Sequence, residues 1–203
     1  MTLNLSKASI KEYLKEYISR NKKLFIISLV ILVISAVIGV FISDFISRYM
    51  IELLKEIVNS YPQSTVTEET LHLFNNNLRA YILIMLGGFL FSVFSIFSLI
   101  VNGLILGYTF TLMNPLQFVV GIFPHGIFEL TAICMSLMGA FIITKIEINL
   151  IRALFRNEFV SEIRNSATMA KDVLVTFIIS FILLVIAAII EAAVTPALLS
   201  MVI

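Results

Sequence analysis

The placement of charge is what most constrains this chain. Between Lys23 and Asp44 lie 20 residues without a charged side chain. Between Arg79 and Lys145 lie 65 residues with one, Glu129, and from Val173 to Ile203 there are 31 with one, Glu191. A helix rises about 1.5 Å per residue and a hydrocarbon core is about 30 Å thick, so about 20 apolar residues cross it once. The first run fits one crossing and the last fits one with a short tail. The middle run, roughly 97 Å long as continuous helix, fits three. The chain therefore reads as an all-α polytopic transmembrane bundle of about five spans, at residues 24–43, 80–101, 104–123, 126–144 and 173–195. Composition agrees, with 60% of the 203 residues apolar and 13% charged, against about 45–50% and about 25% in soluble domains.

The distribution of Lys and Arg tests the count. Residues 1–23 carry six of them, segment 44–79 three against five acids, and segment 145–172 five. The positive-inside rule then places the N-terminus and 145–172 in the cytoplasm, and 44–79 outside. An odd number of crossings between 79 and 145 follows, and the last span leaves the C-terminus outside the cell membrane. With 14 Lys and Arg against 13 Asp and Glu, the chain has no basic surface for nucleic acid. A lone cysteine, Cys134, excludes an intrachain disulfide and a cysteine metal cluster.

Turn residues divide the middle run. Asn102-Gly103 and Pro124-His125-Gly126 mark expected breaks. Asn114-Pro115 falls inside the expected span 104–123, where a proline removes a backbone hydrogen bond. That span is expected to be kinked or broken. Residues 1–23 read as a cytoplasmic amphipathic helix with a Ser9–Glu12 capping box, its lysines facing an anionic leaflet. Segment 145–172 repeats the amphipathic theme, with Ile148, Ile151, Phe155, Phe159 and Ile163 as its apolar stripe. Segment 44–79 reads as an outer helical hairpin that stops at Tyr61-Pro62 and resumes at a Thr65–Glu68 capping box.

Ionisable groups inside a membrane are costly, which makes them functional candidates. His125 and Glu129 are four residues apart and share a helix face. Counted from the expected span ends, Glu129 and Glu191 lie at one shallow depth, roughly 4–6 Å from the outer face. Together with Asn76, Asn77 and Asn102 they make a candidate polar centre. A structural role in joining helices is the bland reading. A divalent metal such as zinc on His125, Glu129 and Glu191 is a second, since Zn²⁺ accepts imidazole and carboxylate. A proton or ion path is a third. His72, beside Glu68 and Glu69, reads as a solvated surface histidine. Gly103 and Gly107, four apart, allow close helix contact within the chain or across a homodimer.

Four blocks carry a family resemblance: Asn-Asn-Leu-Arg-Ala (76–80), Asn102-Gly103 with Gly107, Phe-Pro-His-Gly-Ile-Phe-Glu-Leu-Thr-Ala (123–132) and Ile-Glu-Ala-Ala-Val-Thr-Pro (190–196). They resemble the stage II sporulation protein M family of multi-pass membrane proteins, with Pro-His-Gly-x-x-Glu the most specific part. In spore-forming bacteria that family implies a membrane anchor for peptidoglycan-degrading partners at the septum. Relatives also occur in bacteria and archaea that make no spores. The resemblance implies a non-catalytic scaffold that recruits or stabilises membrane or extracytoplasmic proteins within the lipid bilayer. A transporter or channel component built on the His/Glu centre is the alternative, and an intramembrane metal-dependent hydrolase the second alternative.

Overall fold

The computed structural model describes residues 7–59 and 65–202, and these are helical almost throughout. Helix α1 (Lys7–Phe41) is followed by α2 (Ser43–Asn59), α3 (Val66–Leu86), a 3₁₀ turn (Gly87–Leu90) and α4 (Val93–Leu112). Then come α5 (Pro115–Phe155), α6 (Phe159–Ile189), a π-helical turn (Ile190–Val194) and the short α7 (Thr195–Leu199).

Side-chain contacts give the helix directions. Gly103 and Gly107 of α4 meet Ser35 and Ala36 of α1 in ascending order, so α1 and α4 are parallel. Phe110 stacks edge-on with Phe118 while Ser92 bonds Thr144, so α5 runs against α4. Ser180 reaches Ala132 and Thr195 reaches His125, so α6 runs against α5. Helix α3 follows α5, with Tyr81 on Glu129 and Gly88 on Ala140. The described chain thus passes along the bundle five times, α1, α4 and α6 one way and α3 and α5 the other. Four helices, beginning at Ile10, Val93, Pro115 and Phe159, are long and apolar enough to cross a membrane. Helix α3 makes the remaining pass without qualifying on apolarity, because Glu68, Glu69, His72 and Asn75–Asn77 fill its first half.

The helix boundaries correct several expectations. Asn102-Gly103 and Pro124-His125-Gly126 lie inside helices, not at breaks. Gly103 is there for space: its Cβ would stand 2.5 Å from the Ser35 Cβ, a Cβ on Gly39 would stand 2.5 Å from the Leu104 carbonyl, and one on Gly107 would overlap the Ala36 carbonyl. Gly103 and Gly107 therefore serve the α1–α4 contact within one chain. Pro124 lies inside α5, where it has no N–H for the Val120 carbonyl, and the helix continues through it. The true α3–α4 break is at Gly87-Gly88, a turn signal overlooked beside Asn-Gly. A Cβ on Gly88 would stand 2.5 Å from the Ala140 carbonyl, so the turn can rest on α5. Phe91 and Ser92 complete the reversal with φ of 52° and 57°. The Ser92 hydroxyl donates to Thr144 Oγ1, whose own proton goes to the Gly88 carbonyl.

At Asn114-Pro115 the expected kink is a full reversal. Asn114 caps α5 by accepting from the Gln117 amide, Gln117 reciprocates, and Pro115 occupies the first turn, where its missing N–H is free of cost. The residues expected as one span, 104–123, are divided between two helices. Helix α1 runs unbroken through residue 23 and has begun by Lys7, so Ser9 does not cap it. The stripe at 148–163 is likewise split, by a turn with Asn157 at φ 56°. The Thr65–Glu68 capping box is present, while Tyr61-Pro62 lies outside the described residues.

Helix α5 is the axis of the bundle. In its most apolar window 67% of residues are buried, against 28% or less in the other three crossing helices. Ile133, Cys134 and Leu137 of α5 pack with Leu99 of α4 and Leu184 of α6, all at most 1% exposed. The other helices turn large apolar side chains outward, as a lipid-facing surface requires.

Candidate functional site

The first pole of the site comes from α5. His125 and Glu129 lie one turn apart, with His125 buried and Glu129 half-buried. Glu191, half-buried, comes from the π-helical turn that ends α6. A π turn inserts one residue into the helical repeat, re-aiming the side chains that follow, and such turns recur at functional sites. Ligand atoms of His125, Glu129 and Glu191 all lie within 4.8 Å of one another. Tyr81 of α3 donates to the Glu129 backbone carbonyl at 3.1 Å, and half-buried Asn77 stands one turn before it on the same helix. Three helices thus converge on one polar centre.

Hydrogen bonds tie His125 to the π turn. Its Nδ1 is 3.2 Å from Thr195 Oγ1. That hydroxyl gives its proton to the Ile190 carbonyl at 3.3 Å, so toward His125 it is an acceptor. With the Thr195 proton on that carbonyl, Nδ1 is the donor and Nε2 keeps the lone pair. The Ile190 carbonyl opens the π turn, which makes Thr195 the link between that turn and the imidazole.

The centre lies deeper than the sequence indicated. Helix α5 starts at Pro115 instead of Gly126, so Glu129 stands 14 residues into it (129 − 115), roughly 21 Å along the axis. Two contacts bracket Glu129 against α4: Phe110–Phe118 toward one end and Ser92–Thr144 toward the other. Glu129 is 11 residues past Phe118 and 15 before Thr144 (129 − 118 and 144 − 129), about half-way along α4.

Not every candidate joins the centre. Asn76 is exposed, and Asn102 is exposed with its amide on the Ser98 carbonyl of its own helix at 2.9 Å. His72 is half-buried, not solvated.

A family model described as stage II sporulation protein M matches residues 28–196. The chain belongs to the stage II sporulation protein M family. All four blocks that carry the resemblance lie within the matched residues. Two uncharacterized proteins of Methanocaldococcus jannaschii are similar to it. One is 29% identical over 197 residues, covering 92% of this chain and 87% of its own length. The other is 35% identical over 127 residues, covering 60% and 67% respectively. No solved structure matches.

This SpoIIM-family bundle carries a second polar group that sequence reasoning missed. Asp172 of α6, 1% exposed, accepts from Tyr13 Oη at 2.9 Å, Arg20 Nε at 3.0 Å, Arg20 Nη2 at 2.8 Å and Asn21 Nδ2 at 2.8 Å. One turn on, Tyr17 donates to Thr176 Oγ1 at 2.8 Å, since the Thr176 proton is on the Asp172 carbonyl. A signal existed: Arg20-Asn21 and Asp172 are polar residues just before two charge-free runs. Thr195 was also missed, although it sits four residues after Glu191, one helical turn in the ordinary repeat.

Proposed function

We propose that this protein is a non-catalytic membrane scaffold of the SpoIIM type, recruiting or stabilising partner proteins at the cell membrane through α2. The observation that carries the reading is the amphipathic character of α2 joined to its exposure. Phe45 and Tyr49 lie one turn apart and are 84% and 70% exposed. Two exposed aromatic side chains on one face of a short amphipathic helix are more than a solvated helix needs, and aromatics are enriched where proteins dock. Five passes of alternating direction put the two termini at opposite ends, which supports a cytoplasmic N-terminus and an external α2 and C-terminus on the positive-inside argument.

A photo-crosslinking residue at Phe45 or Tyr49, activated in native membranes, tests this. Discrete protein adducts are expected; adducts with lipid alone would sink the scaffold reading. Orientation is read separately by introducing single cysteines at Ser47 and Ser161, because Cys134 is buried and stays silent to a membrane-impermeant thiol reagent. Labelling from outside is expected at Ser47 and not at Ser161.

The mid-bundle position of His125 and Glu129 favours a second reading, a transporter component. It predicts cation or proton flux in liposomes that disappears with Glu129→Gln, and no flux in wild type would remove it.

A further inference from the structure

We infer that His125, Glu129 and Glu191 form a binding site for one divalent cation of the Zn²⁺ class, half-way along the bundle. Three observations carry this. The first is charge. Two carboxylates from different helices lie within 4.8 Å of one another and of an imidazole, and among the described residues neither is ion-paired to a Lys or Arg. Uncompensated like charges at that depth are expensive. A divalent cation balances two carboxylates with a neutral imidazole.

The second is the tautomer. Nδ1 of His125 is 3.2 Å from the Thr195 hydroxyl, and an Nδ1–H donated to that oxygen leaves Nε2 as the lone-pair donor. Metal-ligating histidines donate their other ring N–H to an oxygen acceptor in this way. The third is donor type. Ca²⁺ and Mg²⁺ favour all-oxygen sites, whereas one nitrogen and two carboxylate oxygens suit Zn²⁺, with a fourth position left to water. Ligand atoms on a tetrahedral zinc are about 3.3 Å apart, so the three side chains close by up to about 1.5 Å, within rotamer adjustment.

The site is independent of the scaffold reading, because metal content and crosslinking at α2 are measured separately. The test uses the full chain in detergent, stripped with chelator, incubated with Zn²⁺ alone, desalted and assayed for metal, with helicity and monodispersity checked for every variant. About one zinc per chain is expected in wild type and in Asn102→Ala, which changes a side chain outside the centre. Glu129→Gln and Glu191→Gln keep the shape of the side chain and are expected to lose the zinc. Thr195→Val leaves the three ligands in place and is expected to weaken zinc binding about 10–100-fold, as loss of an orienting hydrogen bond does. Replacing Zn²⁺ by Co²⁺ should give a visible absorption band that is absent from Glu191→Gln. Folded wild type without stoichiometric zinc overturns the assignment. So does zinc retained by a folded Glu129→Gln/Glu191→Gln double variant.

Discussion

The bundle holds two polar groups built on opposite plans. At the clamp around Asp172, 13 residues into α6 (172 − 159), one carboxylate receives four hydrogen bonds, two of them from a guanidinium. Arg20 is also 5.6 Å from the centre of the Tyr13 ring. At the centre, a third of the way along α5 and level with the middle of α4, two carboxylates and an imidazole face one another without a Lys or Arg ion pair among the described residues. The clamp satisfies its charge entirely from the chain, which is how a buried ion supports a fold. The centre leaves charge to be satisfied by something else, which is how a binding site differs from a fastener.

That contrast predicts unequal responses to removing an acid. Asp172→Ala strands Arg20, Tyr13 and Asn21, and breaking one side of a buried pair costs about 3–5 kcal/mol. Denaturant unfolding in micelles should show a loss of that order, with zinc content unchanged. A loss below about 1 kcal/mol would mean that the clamp is ornamental and the comparison is empty. A non-polar control comes next in size. Gly107→Ala sets a methyl against the Ala36 backbone of α1, and overpacking of that kind costs about 1–3 kcal/mol. Gly126→Ala meets only the Ile122 side chain at 3.4 Å, ordinary contact, and should be neutral or stabilise by up to about 1 kcal/mol. Equal effects at the two glycines would remove the α1–α4 seam as an ordering device.

The legible and illegible parts of this molecule separate by physical cause. Charge-free runs gave the helical membrane class, because an apolar run that long has few places to go; four helices are long and apolar enough to cross, and the further pass, α3, lies mostly outside those runs. Turn dipeptides gave the wrong borders. In a packed bundle a glycine supplies space as often as it supplies a turn, and Gly103 is used for space while Gly87-Gly88 makes the turn. Those borders then misplaced the centre, setting Glu129 near an end instead of half-way along. The grouping of His125 with Glu129 followed from helical spacing alone. Glu191 was grouped with them by its matching distance from an expected span end, and it joins them through a π turn that no periodicity in Ile-Glu-Ala-Ala-Val announces. The clamp was missed because Tyr13 and Asp172 are 159 residues apart, and only the antiparallel stacking of intervening helices joins them.

The centre should respond in the opposite sense to the clamp. In chelator-stripped protein, Glu191→Gln removes one of two facing carboxylates and keeps the packing. Stability should hold or rise, by up to about 1 kcal/mol, because like-charge repulsion is relieved and no ion pair is broken. In zinc-loaded protein the same change should lower stability relative to wild type, since binding to the folded state alone adds RT ln(1 + [L]/Kd). A reversal of sign between the two conditions is the signature; destabilisation of equal size in both would assign Glu191 to the fold.

The smallest expected effect is an interaction energy near zero. Asp172 and Glu191 are on the same length of chain, 19 residues apart (191 − 172), roughly 28 Å along α6 and its π turn. They share no hydrogen-bond partner among the described residues. Sites separated by more than about 10 Å without shared partners add within about 0.5 kcal/mol. A double-mutant cycle of Asp172→Asn and Glu191→Gln, read by unfolding of chelator-stripped protein, should therefore close to that margin. Asn is used at 172 because it keeps the side chain's shape and one acceptor oxygen, leaving enough stability to measure the pair. Coupling above about 1 kcal/mol would mean that α6 transmits between them, and the π turn, which shifts helical register, is the element that could carry it. In that case clamp and centre would be two ends of one device, and the division between fastening and binding would have to be given up.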